Sequence, residues 1–426
     1  MYTLLNVLRR RSFWLKDRLL NNCIATHLHH IQTTQQYPPN NTALTALLQQ
    51  ACSNTAFYAP YINKPLSAFP VITKNTVRNQ LSDFKACNFV NKTLKTVKTS
   101  GSTGTPLQIT HNRKKVQRNT ADTLYYARKI QYMVGDRLYY MRHWLDHYKK
   151  PAWAYKLQNI VPIEVLDLND AHIAQRLTQL KNDPSPKIWQ GYASAFDMVV
   201  RYLDRTKATP IQIPRLKGII TMSESLNPYT KQQLHYYFNV PVVARYSNTE
   251  QGIIAQQAPN SNNYNINWSS YYVELLDVDT DTPAAPHTLG RIVITDLYNY
   301  ATPLIRYDTG DIGTIDYSVN PPVFTHIEGR KTDVIYNTKG ALVSAFIIMN
   351  TFNYEGILQS QLIQDGKTQY TLKLNVTKAF NQEAAIINCF KGFLGNDAHI
   401  HVSYVNEIPV LASGKRKATV NNYMKA

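Results

Sequence analysis

Apolar positions recur at two spacings along the chain, and the switches between them mark out its elements. Residues 137–141 and 163–168 read as strands, 171–180 as a helix, 188–190 as a strand and 193–203 as a helix. A strand over 216–221, a helix over 228–238 and a buried strand over 240–244 follow. Such alternation predicts layered α/β architecture with a largely parallel sheet, whose ligands sit in loops at the carboxyl ends of the strands. From Asn265 the pattern is mostly β, at 271–277, 290–295 and 311–316. Past Arg330 it changes again, to strands at 360–364, 369–376 and 399–405 and a helix over 381–394. The predicted class is α/β: a large layered α/β body with a β-rich subdomain over residues 1–330, and a small α+β domain with a three-stranded sheet over residues 331–426.

Helical segments fill the chain up to about residue 80. In the first of them Leu4, Leu8, Leu15 and Leu19 share one face, which predicts an amphipathic helix with those leucines inward. Arg10-Arg11 looks like a twin-arginine export signal, but Asp17, Arg18, Asn21 and Asn22 stand where an apolar stretch is required. Docking on the protein itself is the expectation for this helix; a peripheral membrane contact is the alternative, since its polar face is basic. Residues 93–110 alternate as a hairpin, and a helix capped by Asn112 follows, carrying Val116, Leu124, Ala127 and Ile130. The polar run 260–267 reads as a surface loop.

With 426 residues, 44% of them hydrophobic, the chain can bury a large core, and no run approaches the ~18 apolar residues of a membrane span. Cys23, Cys52, Cys87 and Cys389 show no Cys-x-x-Cys spacing, which suggests neither a zinc site nor a disulfide framework and fits a reducing, cytoplasmic compartment. The net charge of +18 favours a polyanionic partner, whether nucleic acid, acidic lipid, ATP, CoA or an acidic glycan. Lysines and arginines are spread along the chain without any RNA-binding or zinc-finger signature, so nucleic acid is not expected. A non-catalytic basic nucleic-acid-binding protein is the contrasting class.

The candidate chemistry begins at Thr99-Ser100-Gly101-Ser102-Thr103-Gly104-Thr105-Pro106. Strand-like residues flank it on both sides, and it has neither the lysine nor the following helix of a Walker A loop. Either it is a plain turn, or its N–H groups and hydroxyls cradle a polyphosphate. Four more segments follow in order: Arg245-Tyr246-Ser247-Asn248-Thr249-Glu250, Leu304-Ile305-Arg306-Tyr307-Asp308-Thr309-Gly310-Asp311, Glu328-Gly329-Arg330-Lys331-Thr332-Asp333 and Ala412-Ser413-Gly414-Lys415-Arg416-Lys417. Together the five resemble the core motifs of the adenylate-forming superfamily of acyl-CoA synthetases, luciferases and peptide adenylation domains. Phe69-Pro70-Val71-Ile72-Thr73-Lys74-Asn75-Thr76-Val77-Arg78 is similar to the N-terminal signature of the phenylacetate-CoA ligase and CapK-like capsule-biosynthesis group. The resemblance runs from about residue 65 to the C-terminus.

The resemblance implies a function: an ATP- and Mg²⁺-dependent, AMP-forming ligase that adenylates a small carboxylic acid and passes the acyl group to CoA, or alternatively to an amine, as in capsule decoration. It implies that Ser100, Gly101, Ser102, Thr103, Gly104 and Thr105 grip the β- and γ-phosphates. Glu250 would bind Mg²⁺, Thr249 the α-phosphate and Tyr246 the adenine ring. Asp311 would accept from both ribose hydroxyls, Arg330 would follow the ribose and phosphate, and Glu224, in Ser223-Glu224-Ser225, would stand at the adenine edge with poor motif agreement. Lys415, on a small domain that acts as a mobile cap, would bridge the substrate carboxylate and the α-phosphate. Plainer readings exist for each acid and for the lysine: a solvated loop glutamate, a turn aspartate, and a basic tail in which Lys415, Arg416, Lys417 and Lys425 crowd together. At the hinge position family members carry Asp or Lys, where this chain has Thr332, which bears on the second half-reaction.

The acyl pocket is expected to draw on Gln190-Gly191-Tyr192-Ala193-Ser194 and on Arg142-His143-Trp144, with Tyr192 and Trp144 as an aromatic slot. His143 and His147 lack the glutamate of a His-Glu-x-x-His zinc site, and His27, His29 and His30 read as a solvated helix face. The expected assembly is a monomer or homodimer.

Overall fold

The computed structural model describes residues 2–35, 41–98, 107–144, 149–165, 168–330, 335–343, 347–348, 351, 354–409 and 417–423. Its helices are α1 (Tyr2–Leu19), α2 (Cys23–Thr34), α3 (Asn41–Asn54), α4 (Lys74–Asn79), α5 (Leu81–Phe84), α6 (Arg113–Arg128), α7 (Ala152–Gln158), α8 (Asp170–Asn182), α9 (Ala193–Arg205), α10 (Pro228–Phe238) and α11 (Glu383–Leu394). The chain divides into two compact units, 1–309 with 313–326, and 310–312 with 327–426.

In the first unit β1 (Lys95–Lys98) and β2 (Gln108–His111) pair as an antiparallel hairpin, Val97 opposite Ile109. The main sheet is built from β3 (Arg137–Arg142), β4 (Ile160–Glu164), β5 (Lys187–Tyr192), β6 (Leu216–Met222), β7 (Val242–Asn248), β8 (Gly252–Gln257), β9 (Tyr264–Ile266), β10 (Tyr271–Leu276), β11 (Gly290–Asp296), β12 (Tyr307–Asp316) and β13 (Val323–Arg330). Their order across the sheet is β10-β11-β12-β13-β9-β8-β7-β6-β5-β3-β4. The strands β4, β3, β5, β6 and β7 run parallel, while β7–β8, β8–β9, β9–β13 and β10–β11 are antiparallel pairs. The α/β body and the β-rich region are thus one continuous sheet, half parallel and half antiparallel.

Helical covering explains the parallel half. All six residues of β5 are buried, as a strand packed on both faces requires. On one face Ala195, Phe196, Val199, Val200 and Leu203 of α9 form an apolar stripe over Trp189, Val242 and Ala244. On the other, Ile188, Ile220 and Val243 meet Ile130. The local signals of α10 are complete: the Asn227 side chain accepts from Tyr229 N–H, Pro228 opens the first turn, and Asn239 closes it at φ 49°.

In the second unit β14 (Ile335–Tyr336) and β15 (Leu342–Val343) form a small hairpin. Beside it β16 (Ile357–Gln364), β17 (Gln369–Val376), β18 (His399–Tyr404) and β19 (Thr419–Asn421) form a sheet in the order β18-β17-β16-β19. Leu362, Leu372 and Leu374 of this sheet pack on Ile386, Phe390 and Leu394 of α11. The sheet therefore has four strands where the pattern gave three. The extra strand, β19, is three residues long and parallel to β16, too short for its alternation to register.

Several expectations need correction. Leu4, Leu8, Leu15 and Leu19 face outward, 48–77% exposed, because the docked face of α1 is the one that carries Asn6, Arg10, Phe13, Trp14 and Asp17. Asn6 Oδ1 accepts from Asn159 Nδ2 at 3.3 Å, Arg10 Nε donates to the Val134 carbonyl at 3.1 Å, and Asp17 caps α2 by accepting from Ile24 and Ala25 N–H at 2.8 and 2.9 Å. Asn112 precedes α6 without capping it; its side chain accepts from Tyr300 N–H at 3.0 Å instead. Ile130 lies past the end of α6. The strand placed at 163–168 is β4, residues 160–164, with Pro162 in its middle, an interruption tolerated because β4 is the edge of the sheet. The run 260–267 contains β9 and ends in a fully buried Asn267.

Candidate active site

Glu250 is where four distant stretches of the chain converge. It stands in the turn between β7 and β8 and is 7% exposed. The turn is held by its own polar groups: Asn248 Oδ1 accepts from Gln251 N–H at 2.8 Å, and Asn248 Nδ2 donates to Gln251 Oε1 at 2.7 Å. Two outside donors fix its carbonyls. His111 Nε2, at the end of β2, lies 2.8 Å from the Glu250 carbonyl, and the Tyr271 hydroxyl donates to the Gln251 carbonyl at 2.5 Å.

The carboxylate has partners of its own. Tyr307, the first residue of β12, donates from its hydroxyl to Oε1 at 3.2 Å, and Lys74 Nζ stands 3.9 Å from the same oxygen. Lys74 opens α4, whose N-cap Thr73 forms a reciprocal capping box with Thr76, so the signature Thr-Lys pair sets this ammonium at a defined helix start. The segment bearing Tyr307 is tied to the same place: Ile72 N–H donates to the Arg306 carbonyl at 3.0 Å, Asp308 N–H to the Ile72 carbonyl at 2.8 Å, and Arg306 Nη1 to the Phe69 carbonyl at 2.9 Å. Sequence motifs more than 200 residues apart thus meet around one acid.

Burial, reinforced by the nearby Lys115 ammonium, pushes the His111 imidazole down to about 4. It is neutral at pH 7, and the proton it gives the Glu250 carbonyl sits on Nε2. His27, beside Tyr298, is pushed to about 4 by burial and then by Arg118, and His30 lies 3.2 Å from Arg118 Nη1, so neither belongs to a solvated face. Both depressed groups stabilise the fold fully above their ordinary value of about 6.5, and that stability drains away as pH falls toward 4, where unfolding takes up the protons. The melting temperature is expected to drop between pH 7 and 4.5, and more gently in His111→Gln, which keeps a donor but does not titrate; parallel curves would contradict this.

Of the nucleotide-binding expectations, Tyr246 is half-buried on β7, its hydroxyl donating to Thr309 Oγ1 at 3.3 Å and its ring edge-on to Phe324 at 6.3 Å. Thr249 is half-buried in the turn beside Glu250. Glu224, just past β6, accepts from Ser194 N–H at 2.8 Å, placing its carboxylate at the N-terminus of α9. Asp311 lies half-buried on β12, directly after Gly310, whose φ of +79° re-aims the strand. Arg330 ends β13, with its side chain outside the described residues. The loop holding Ser100, Gly101, Ser102, Thr103, Gly104 and Thr105 also lies outside them, as do Thr332, His147 and Lys415. Both flanks of the segment bearing Lys415 are anchored on β16: Ile408 N–H donates to Gln359 Oε1 at 2.7 Å, and Gln361 Nε2 to the Lys417 carbonyl at 2.9 Å.

At the expected acyl pocket, Tyr192 and Trp144 are both buried, and Trp144 donates from Nε1 to the Ile163 carbonyl at 3.2 Å. His143 Nδ1 lies 3.1 Å from Glu164 Oε1. Residue-by-residue reading of the sequence missed Lys74, Tyr307 and His111 as neighbours of Glu250. The first two lie inside the quoted motifs, and only the fold shows which side chains of those motifs turn toward the acid.

Comparison with known proteins bears on the fold. Residues 335–422 match the CapK C-terminal domain family. Protein CapK of Staphylococcus aureus is 22% identical over 400 residues, covering 87% of this chain and 85% of the relative. Among solved structures, a 2-hydroxyisobutyryl-CoA ligase in the postadenylation state with 2-HIB-AMP superposes with a TM-score of 0.71 over 92% of each chain, at 15% identity. The chain has the fold of the adenylate-forming ligases and is similar in sequence to CapK. ATP-bound MatB from Rhodopseudomonas palustris shares that fold at a TM-score of 0.56 and 16% identity, over 76% of this chain and 66% of its own. No helix among the described residues is long and apolar enough to cross a membrane.

Proposed function

We propose that the protein is an ATP-dependent, AMP-forming ligase that joins a carboxylic acid to the α-phosphate of ATP and then hands the acyl group to CoA. The observation that carries this reading is the buried Glu250, whose carboxylate meets Tyr307 and Lys74 from two otherwise separate motif segments and whose carbonyl meets His111 at the end of β2. Adenylation brings a carboxylate onto a phosphate that is itself anionic, so the protein must neutralise charge and fix an in-line approach; no side-chain nucleophile is needed.

Glu250 suits a hard divalent cation, because Lys74 and Tyr307 gather on Oε1 and fix the orientation of the carboxylate. Mg²⁺ held there supplies charge neutralisation to the phosphates. In this reading Thr249 donates to the α-phosphate and Tyr246 lies against the adenine. Glu224 accepts from the adenine edge, and Asp311 accepts from the ribose hydroxyls with Arg330 beside them. The loop from Ser100 to Thr105 wraps the β- and γ-phosphates with backbone N–H groups. Lys415 steadies the negative charge that develops between acid and α-phosphate. Residues 1–330 would form the nucleotide- and acyl-binding body and residues 331–426 the cap.

The CapK likeness of residues 335–422 favours a second acceptor, an amine on a sugar or polymer unit, after the same first step. Acid-dependent exchange of labelled pyrophosphate into ATP, across a panel of aryl, fatty, hydroxy, dicarboxylic and amino acids, tests the first step. Exchange with at least one acid is expected. Silence across the panel, with salt-sensitive nucleic-acid binding in its place, would replace the reading by a non-catalytic one. Product analysis with CoA and with amines separates the acceptors.

A further inference from the structure

Four neighbouring parallel strands, β7, β6, β5 and β3, end in a polar cluster that is rich in donors and poor in acceptors. Its centre is Arg245, which is 7% exposed. Arg245 Nε donates to Gln256 Oε1 at 2.8 Å and Nη1 to Gln190 Oε1 at 3.4 Å, while Nη2 is buried without any hydrogen-bond partner. No carboxylate among the described residues lies within ion-pair distance of it. The other titratable groups that bear on it are the hydroxyls of Tyr140 and Tyr126. Burial pushes the guanidinium down to about 10, which still leaves it a cation at pH 7.

The neighbouring donors are equally short of acceptors. Gln190 Nε2 and the Tyr140 hydroxyl both point at the thioether sulfur of Met222, at 3.5 and 3.8 Å, a weak acceptor. Strand register keeps the group together, with Tyr140 opposite Gln190 and Met222 opposite Arg245. A buried cation without a counter-charge is strongly disfavoured unless something supplies the charge, and the carboxyl ends of parallel strands are where ligands of such sheets bind.

We propose that Arg245, with Gln190 and Tyr140, binds a second anionic group on the acid substrate, so that the preferred acid is a dicarboxylate or a similarly doubly charged acid. This rests on the adenylating reading of the same site. It assigns Arg245 a specificity-determining role: one carboxylate of the acid reacts, and the other accepts from Nη2 and from the two donors that now face sulfur. An apolar acid of the same length would leave the guanidinium buried and unpaired, so discrimination of about 10²-fold or more in kcat/KM is expected.

The test compares pyrophosphate exchange with dicarboxylic acids and with monocarboxylic acids of matched length, in the wild type, Arg245→Met and Arg245→Lys. Wild type is expected to favour the dicarboxylates by at least about 10²-fold, Arg245→Met to lose that preference, and Arg245→Lys to keep part of it. Arg245→Met is also expected to melt at a higher temperature without ligand, since it removes an unpaired buried charge. Thermal-shift titration with the dicarboxylates alone reads the same site without ATP. A dicarboxylate shift that vanishes in Arg245→Met supports the site even if no acid supports exchange, and in that case it is the adenylating reading that fails. Exchange with monocarboxylic acids that equals or exceeds that with dicarboxylates in wild type, unchanged in Arg245→Met, overturns the inference and leaves the ligase reading standing.

A second inference comes from α1, which docks by the face that carries Asn6, Phe13, Trp14 and Asp17 and leaves Leu4, Leu8, Leu15 and Leu19 exposed in one stripe along the helix. The helix is linked to α7 by Arg9 Nη2 donating to the Lys156 carbonyl at 3.0 Å, and α7 exposes Trp153 and Leu157, at 67% and 65%. The exposed charges on α1 are Arg11, Lys16 and Arg18; its one acid, Asp17, is buried in the α2 cap. An apolar stripe flanked only by cations, on a helix linked to another that exposes an indole, is complementary to an anionic lipid surface. We infer that α1 lies on the surface of an anionic bilayer. Co-sedimentation with phosphatidylcholine vesicles containing phosphatidylglycerol is expected, with none on phosphatidylcholine alone and loss in Leu8→Glu/Leu15→Glu of unchanged melting temperature. Failure to sediment with anionic vesicles, or a dimer that the double variant converts to monomer, would overturn it, the latter in favour of a second copy on the stripe.

Discussion

Lys415→Ala is expected to lower acid-dependent pyrophosphate exchange by about 10²–10³-fold while leaving acyl transfer from supplied acyl-adenylate largely intact. Charge accumulates between two anions only while the acid attacks the α-phosphate, so a cation placed there acts on the first half-reaction. Gln359 and Gln361 on one strand hold Ile408 N–H and the Lys417 carbonyl, which supports a local effect of a change between them. Lys415→Arg is not expected to restore the rate, since a planar fork does not reproduce a compact ammonium on a flexible stem. Measuring the two half-reactions separately checks this; equal loss in both would remove Lys415 from the proposed role.

Glu250→Gln is expected to cut exchange by about 10²-fold or more and to raise the magnesium concentration needed for half-maximal rate. The amide keeps the shape and the hydrogen bond from Tyr307 but gives up the charge, and it leaves Lys74 facing a neutral group. Tyr307→Phe removes only one hydrogen bond to the carboxylate and should cost about tenfold, as befits ~1.4 kcal/mol. A magnesium titration of exchange distinguishes the variants. Wild-type magnesium dependence in Glu250→Gln would exclude the carboxylate as the cation's ligand.

Where the chain's signals are local, sequence and structure agree residue for residue. Helix α10 begins and ends at residues 228 and 238 because Asn227, Pro228 and Asn239 each fix the backbone next to them. Strand β17 matches at 369–376, where apolar and polar positions alternate without interruption. Where the deciding partner is distant, local pattern misleads. The leucines of α1 follow helical spacing, yet Asn159, Val134 and the start of α2 claim the opposite face, and nothing within residues 2–19 announces them. Strand β4 is displaced because an edge position forgives Pro162, a fact about its neighbours. The order of the motifs is legible in the sequence, whereas the convergence of Lys74, His111 and Tyr307 on Glu250 is a property of the sheet and of the Ile72–Tyr307 bridge. Arg245 is hidden for the same reason, since its missing counter-charge becomes visible only once its neighbours are known.

Oxygen transfer addresses the proposed chemistry most directly. With an acid that supports exchange, labelled with oxygen-18 in its carboxylate, turnover in the presence of ATP and acceptor should place one labelled oxygen in AMP and none in inorganic phosphate or pyrophosphate. Label appearing in inorganic phosphate together with ADP formation, or AMP carrying no label, would mean that no acyl-adenylate is made.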